Sequence, residues 1–318
     1  MCLSLAFVFT FTLLLALCNA SSEGLYALLP GGQLALLNTS SGQPARVGPS
    51  LAAQGFTVPD CSPSAIDSTE KLFFTLARNA SAAPSSPWLL VAAGLADGAV
   101  RLALALPPAF PPGLGACAHA LSTDGSAHAF VAAFPGAPPR LLAGVITYAG
   151  PAHGYAALAD APTQPLGVGL PLAAPTCAAT ATALWVALAG GLARVNVAHG
   201  GVDGVLPTPQ AQTLSSLQYD KAGLRRTYGL LAAGGSATAL ASFDDAGAGT
   251  PALLVEAPGA PAAARPALVA LQSDRGTLVV ATAGGELVTV DLATGAPASH
   301  APLPPGGLVA LAYEPFVF

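Results

Sequence analysis

The sequence predicts an all-β protein, a six-bladed β-propeller, and three observations carry that prediction. First, two distant stretches are versions of one another. Residues 23–44, EGLYALLPGGQLALLNTSSGQP, align without a gap on residues 276–297, GTLVVATAGGELVTVDLATGAP. Leu25 falls on Leu278, Gly31-Gly32 on Gly284-Gly285, Asn38 on Asp291, and Gly42 on Gly295. Recurrence of this kind marks a repeat architecture. Second, residues 184–200, LWVALAGGLARVNVAHG, are a third copy, one residue shorter after the Gly-Gly pair. Third, the chain ends complement each other. The first unit, 24–50, lacks an opening strand, and the last strand, 308–314, has nothing after it.

Each element of the unit follows from local chemistry. A Gly-Gly pair between two apolar runs permits the positive φ of a tight hairpin. The Asx-to-Gly segment that follows is turn chemistry for the next reversal. Another strand precedes each hairpin, as in LSSLQYD at 214–220, LVALQSD at 268–274 and LVALAYE at 308–314. Four antiparallel strands, here a to d in chain order, are one propeller blade. The runs LYALL, LFFTLA, LLVAAG, LWVALA and LVVATA are continuous rather than alternating, as expected of strands covered on both faces.

Unit 1 joins 24–50 to 306–318, so that strands b to d at the N-terminus pair with strand a from the C-terminus. Unit 2 covers about 56–107, with strands at 71–77, 88–93 and 99–106. Unit 3 covers about 114–162, with strands at 127–133 and 140–147. Units 4, 5 and 6 cover about 174–207, 212–258 and 265–304. A seven-blade count follows if two short units near 110–175 have been merged.

Before the repeats lies LSLAFVFTFTLLLAL at 3–17, then Cys18-Asn19-Ala20. That is the length of a signal-peptide core with a small residue at the cleavage point, and it falls short of the roughly 20 residues of a spanning helix. The expectation is a signal at 1–20, a single propeller domain at 21–318, and a secreted or secretory-lumen monomer. The longest later uncharged stretch, 161–193, is broken by Pro162, Pro165, Pro171 and Pro175, so no transmembrane segment is expected after cleavage.

Charged residues make up 8% of the chain, and 11 basic against 16 acidic residues give a net charge of −5. Mean hydropathy is +0.61. No basic stripe is present to neutralise phosphates, which excludes nucleic acid as a partner. No G-x-S-x-G, H-E-x-x-H, P-loop or dinucleotide fingerprint occurs.

Several residues are candidates for chemistry. Cys61, Cys117 and Cys177 stand near the start of strand a in three consecutive units. They are read as small buried residues, or as a disulfide or channel-rim thiols. Three is odd, so one thiol is free or pairs outside the chain. His119, two residues after Cys117, makes a weak nucleophile–base pair. Asp124, Asp220, Asp274 and Glu314 recur at the a–b turn, with Asp67 as a further member of the set. Their plain role is turn hydrogen bonding; a converging ring of them would hold calcium. The sequons Asn38-Thr39-Ser40 and Asn79-Ala80-Ser81 fall in predicted turns, where glycans attach.

The segment Asp291-Leu-Ala-Thr-Gly295 resembles the secreted propellers with YVTN-type or quinoprotein-like repeats. That resemblance implies a shape, since such propellers include enzymes, cofactor carriers and binding modules. The residues lead to a secreted, non-catalytic propeller that binds a protein or glycan through one rim, without a cofactor. The alternative is a calcium-dependent lactonase-type hydrolase with its site in the central channel.

Overall fold

The computed structural model describes residues 24–60, 62, 64–67, 70–83, 86–105 and 268–314, and between 120 and 263 the strands given below with Asp220 and Ala263. The strands form antiparallel sheets of four or five, and all but the first sheet follow chain order, apart from one short extra strand in each of sheets 2 and 3. Sheet 1 is Ala310–Glu314, Gly24–Leu29, Gln33–Leu37 and Pro44–Arg46. Sheet 2 is Phe56–Thr57 and Ser64–Asp67, both against Leu72–Asn79, then Leu89–Gly94 and Val100–Ala105. Sheet 3 is Ala120–Thr123, Ala127–Phe134, Arg140–Tyr148 and Tyr155–Asp160, with Gln164–Pro165 also on Arg140–Tyr148. Sheet 4 is Cys177–Ala179, Ala183–Leu188, Gly191–Asn196 and Val202–Pro207. Sheet 5 is Thr213–Tyr219, Arg226–Ala233, Ala237–Asp244 and Leu254–Pro258. Sheet 6 is Val269–Gln272, Thr277–Ala281, Glu286–Asp291 and Pro297–Pro302.

Sheets 2 to 6 each come from one continuous stretch of chain, whereas sheet 1 joins its two ends. Leu25, Tyr26 and Ala27 stand opposite Tyr313, Ala312 and Leu311. The first strand of each sheet touches the first strands of its neighbours. Ala310–Glu314 lies against Val269–Gln272 and Ser64–Asp67; Ala120–Thr123 against Ser64–Asp67 and Cys177–Ala179; Thr213–Tyr219 against Cys177–Ala179 and Val269–Gln272. Repeated four-strand sheets with their first strands side by side are a β-propeller. Among the described residues no helix is long and apolar enough to cross a membrane.

The core lies between sheets, and alternation along the strand decides which side chain goes where. In Gly24–Leu29 all six residues are buried. Leu25, Ala27 and Leu29 pack with Val279, Ala281 and Leu287 of sheet 6, whereas Tyr26 and Leu28 pack with Phe73, Val91 and Ala93 of sheet 2. Successive strand residues point to opposite faces, so a strand inside such a stack is apolar at every position. Between sheets 4 and 5, Trp185 meets Phe243 edge-to-face with centroids 4.8 Å apart and rings at 73°.

The turns follow the predicted chemistry with one difference. Gly42 N–H donates to Asn38 O at 2.8 Å and Gly295 N–H to Asp291 O at 2.7 Å. Gly42 and Gly295 have φ 67° and 65°. The same frame recurs in sheet 2, where Gly98 N–H donates to Gly94 O at 2.8 Å. Two of these glycines are fixed by their neighbours too. A Cβ on Gly42 would stand 1.8 Å from Pro302 O of sheet 6, and one on Gly98 would stand 2.4 Å from Val47 O of the segment leaving sheet 1. The Gly-Gly hairpins differ among copies. Gly31 and Gly32 both have positive φ, whereas in the C-terminal copy Gly285 does and Gly284 does not. In the middle copy Gly191 is a strand residue opposite Leu188, so it is not the turn residue the alignment makes it. The missing residue draws it into the ladder.

Candidate functional site

The rim that carries the a–b turns also carries the c–d turns, because strands alternate in direction. On this rim, between sheets 1 and 6, lies an open groove of about 470 Å³. Its inner end is formed by Gln272, Arg275 and Tyr313, and its outer end by Asn38, Thr39, Ser40 and Gln43. Leu36 adds an apolar wall and is 37% exposed, an exposed large hydrophobic residue.

Strand geometry places these groups. Tyr313 stands opposite Leu25 at the end of the closing strand, and its hydroxyl donates to Asp274 Oδ2 at 2.9 Å, tying sheet 1 to sheet 6. Gln272 ends the first strand of sheet 6 and is 3% exposed. Its Oε1 accepts from Thr277 Oγ1 at 2.9 Å; among the described residues its amide nitrogen has no hydrogen-bond partner. Arg275 closes the short turn Ser273–Arg275 and is exposed. A Cβ on Gly24 would stand 2.2 Å from Leu36 Cδ1, so the exposed Leu36 side chain would have to turn aside to admit one. The arrangement is a set of hydrogen-bond donors and an aromatic ring beside a shallow apolar wall, suited to holding a polar surface.

Two of the predicted carboxylates, Asp67 and Asp274, make separate hydrogen bonds, the second across to sheet 1. Asp67 is buried and its Oδ1 accepts from Glu70 N–H at 3.2 Å. Asp220 is buried at the end of its strand, where its N–H donates to Arg226 O at 2.8 Å. Asp274 is exposed and receives the Tyr313 hydroxyl. Among the described residues no three His, Cys, Asp or Glu side chains gather as a metal site. Asp124 and the side chain of Glu314 lie outside the described residues, as do Cys61, Cys117, His119 and the side chain of Cys177. Cys177 itself stands opposite Val186 at the start of sheet 4.

One carboxylate of the turns has a shifted titration. Thr294 donates its hydroxyl and its N–H to Asp291 Oδ1, both at 2.8 Å. These bonds, the side-chain one foremost, hold the Asp291 carboxyl below its usual value. Asn38 does the same work in sheet 1, where its Oδ1 accepts from Ser40 and Ser41 N–H at 2.9 and 3.0 Å. The sequon residue Asn79 is exposed at the end of its strand, and its Oδ1 accepts from Ser81 N–H and Oγ–H at 3.0 and 2.8 Å.

The groove residues Gln272, Arg275 and Tyr313 were not singled out from the sequence as a site. The available signal was the recurring end of strand a, Leu-Gln-Tyr-Asp, Leu-Gln-Ser-Asp and Leu-Ala-Tyr-Glu, which puts polar or aromatic groups on one rim.

No protein-family model and no curated sequence matches the chain. Solved structures match its fold. A putative 6-phosphogluconolactonase from Bacteroides uniformis aligns with a TM-score of 0.51 at 10% identity, over 93% of this chain and 96% of that one. An oligogalacturonate lyase in complex with manganese aligns with a TM-score of 0.53 at 9% identity, over 85% of this chain and 70% of that one. The β-propeller domain of Cps50 (Swd1) from Myceliophteria thermophila aligns with a TM-score of 0.47 at 14% identity, over 88% and 86%. What the first two share with this chain is the fold.

Proposed function

We propose that the protein is an exported, non-catalytic six-bladed propeller that binds a protein or glycan through the rim bearing the groove. The ring reading is supported by the unbroken series of contacts among first strands and by the pairing of the two chain ends. Export rests on the apolar run at 3–17.

The observation that carries the binding reading is Gln272. Its side-chain oxygen is bonded to Thr277, and its nitrogen, which solvent reaches in the groove, is a donor open to a ligand's acceptor. Tyr313 and Arg275 beside it are residue types that concentrate binding energy in interfaces. Of the a–b carboxylates, Asp67 and Asp274 are each engaged in a separate hydrogen bond, which favours a binding rim over a calcium-dependent channel site.

The test is a panel of glycans and a panel of extracellular protein domains, each probed with purified protein. Arg275→Glu and Gln272→Leu are compared with Ala283→Glu, which changes an exposed turn on the opposite rim. Loss of a central interface contact is worth more than about 1 kcal/mol, so the groove variants bind any captured ligand on the order of tenfold more weakly. Binding unchanged by both groove variants, or abolished by Ala283→Glu, overturns the reading.

A further inference from the structure

We infer that Asn38 and Asn79 are N-glycosylation sites, one on each rim, and that the Asn38 glycan stands at the outer end of the groove. This rests on the export reading above, because the modification occurs in the secretory lumen. Both residues open a sequon, and both are exposed. The structure adds the orientation of the side chains. At Asn38 the side-chain oxygen is held inward by two backbone N–H groups. At Asn79 it is held by the N–H and hydroxyl of the sequon serine itself. In each case the side-chain nitrogen, the atom that joins the sugar, has no hydrogen-bond partner among the described residues. An amide anchored through its oxygen presents its nitrogen to solvent.

The two sites fall on opposite rims. Asn79 ends Leu72–Asn79, strand b of sheet 2, so it lies in a b–c turn. Asn38 follows Gln33–Leu37, the third strand of sheet 1, so it lies in a c–d turn and lines the groove. In the modification the Asn38 or Asn79 nitrogen forms a bond to the anomeric carbon of a lipid-linked oligosaccharide. The lipid diphosphate leaves, and the nitrogen gives up one proton.

Asn38 sits in a folded turn, with its N–H on Gln43 O at 3.1 Å and its carbonyl accepting from Gly42. The topology leaves that turn open for modification during synthesis. Sheet 1 lacks its inner strand until Ala310–Glu314 has been made. At roughly 5–20 residues per second, that takes tens of seconds after Asn38 emerges. Until then the three remaining strands of sheet 1 lack that partner and the covering of sheet 6 on one apolar face, so the turn opens more readily while the transferase can reach it.

The test is expression of the full chain, with its own N-terminus, in a eukaryotic secretory host. Protein from medium and from cells is weighed before and after peptide-N-glycosidase. Secreted protein should carry two glycans. Asn38→Gln and Asn79→Gln should each remove one, as should Ser40→Ala and Ser81→Ala, whereas Ser40→Thr should keep its glycan. Should Asn38→Gln hinder folding, Ser40→Ala reports on the same site with the asparagine in place. Protein found in the medium with unchanged mass overturns the glycan sites and leaves export standing. Protein confined to the cytosol overturns both.

Discussion

Replacing Gly42 by Ala separates two costs that the structure assigns to one residue. Gly42 has φ 67°, so any L-residue there meets the left-handed penalty of about 1–2 kcal/mol. Its added Cβ would also stand 1.8 Å from the Pro302 carbonyl oxygen, where real contacts do not fall below 3.0 Å. Sheets 1 and 6 must then part by about 1 Å or the turn must distort, an overpacking cost of about 1–3 kcal/mol. The total is about 2–5 kcal/mol. Gly31 and Gly276 supply the controls. They have φ 76° and 60°, and a Cβ on either meets nothing within 4 Å. Gly31→Ala and Gly276→Ala therefore cost only the conformational term. Urea unfolding at equilibrium reads the difference, and thermal melting should show Gly42→Ala lower by on the order of 10 °C, at roughly 2–4 °C per kcal/mol for a domain of this size class. Equal destabilisation by all three variants would mean that the outer edges of sheets 1 and 6 are not in contact.

Other outcomes follow from the same structure. Asp291→Asn should leave stability at neutral pH nearly unchanged, since Asn38 fills the equivalent place with its oxygen likewise accepting two hydrogen bonds from the turn. The Asp291 carboxyl is held below 3.8, so its contribution is present above that value and is lost as pH falls through the lower folded value. The gap between parent and variant should therefore change only in acid urea titrations below about pH 4. Trp185→Ala removes the side chain that fills the space between sheets 4 and 5 and should cost about 3–5 kcal/mol in urea unfolding. Calcium at millimolar concentration should leave the melting temperature unmoved; a rise would show carboxylates converging on a cation. Ending the chain at Gly307 should abolish cooperative unfolding, whereas starting it at Ser21 should not.

The ends of the chain show how far sequence reading reached. The pairing of 24–29 with 310–314 was legible because a unit without strand a and a strand a without a unit leave one way to satisfy both edges. Strands such as Leu72–Asn79, Leu89–Gly94 and Arg140–Tyr148 were legible as apolar runs between turn residues, whereas the short extra strands Phe56–Thr57 and Gln164–Pro165 carry no such run. Individual turns were less so. Gly190-Gly191 reads like Gly284-Gly285, yet one missing residue moves Gly191 into the strand. The groove was illegible for a different reason. Gln272 and Tyr313 are far apart in sequence, and each looks like an ordinary end of strand a. Only the contact between sheets 6 and 1 brings them to one place.

The two ends of the chain pair in one sheet, in a defined register. Ala27 stands opposite Leu311, and Leu28 opposite Ala310. A variant with Ala27→Cys and Leu311→Cys brings two side chains to the same face, within reach of a disulfide. A variant with Ala27→Cys and Ala310→Cys puts them on opposite faces, since a one-residue shift flips the side chain. After oxidation, peptide mass spectrometry should find the linked pair in the first variant and not in the second. No link in either variant, or a link only in the second, would contradict the closure of the ring by its termini.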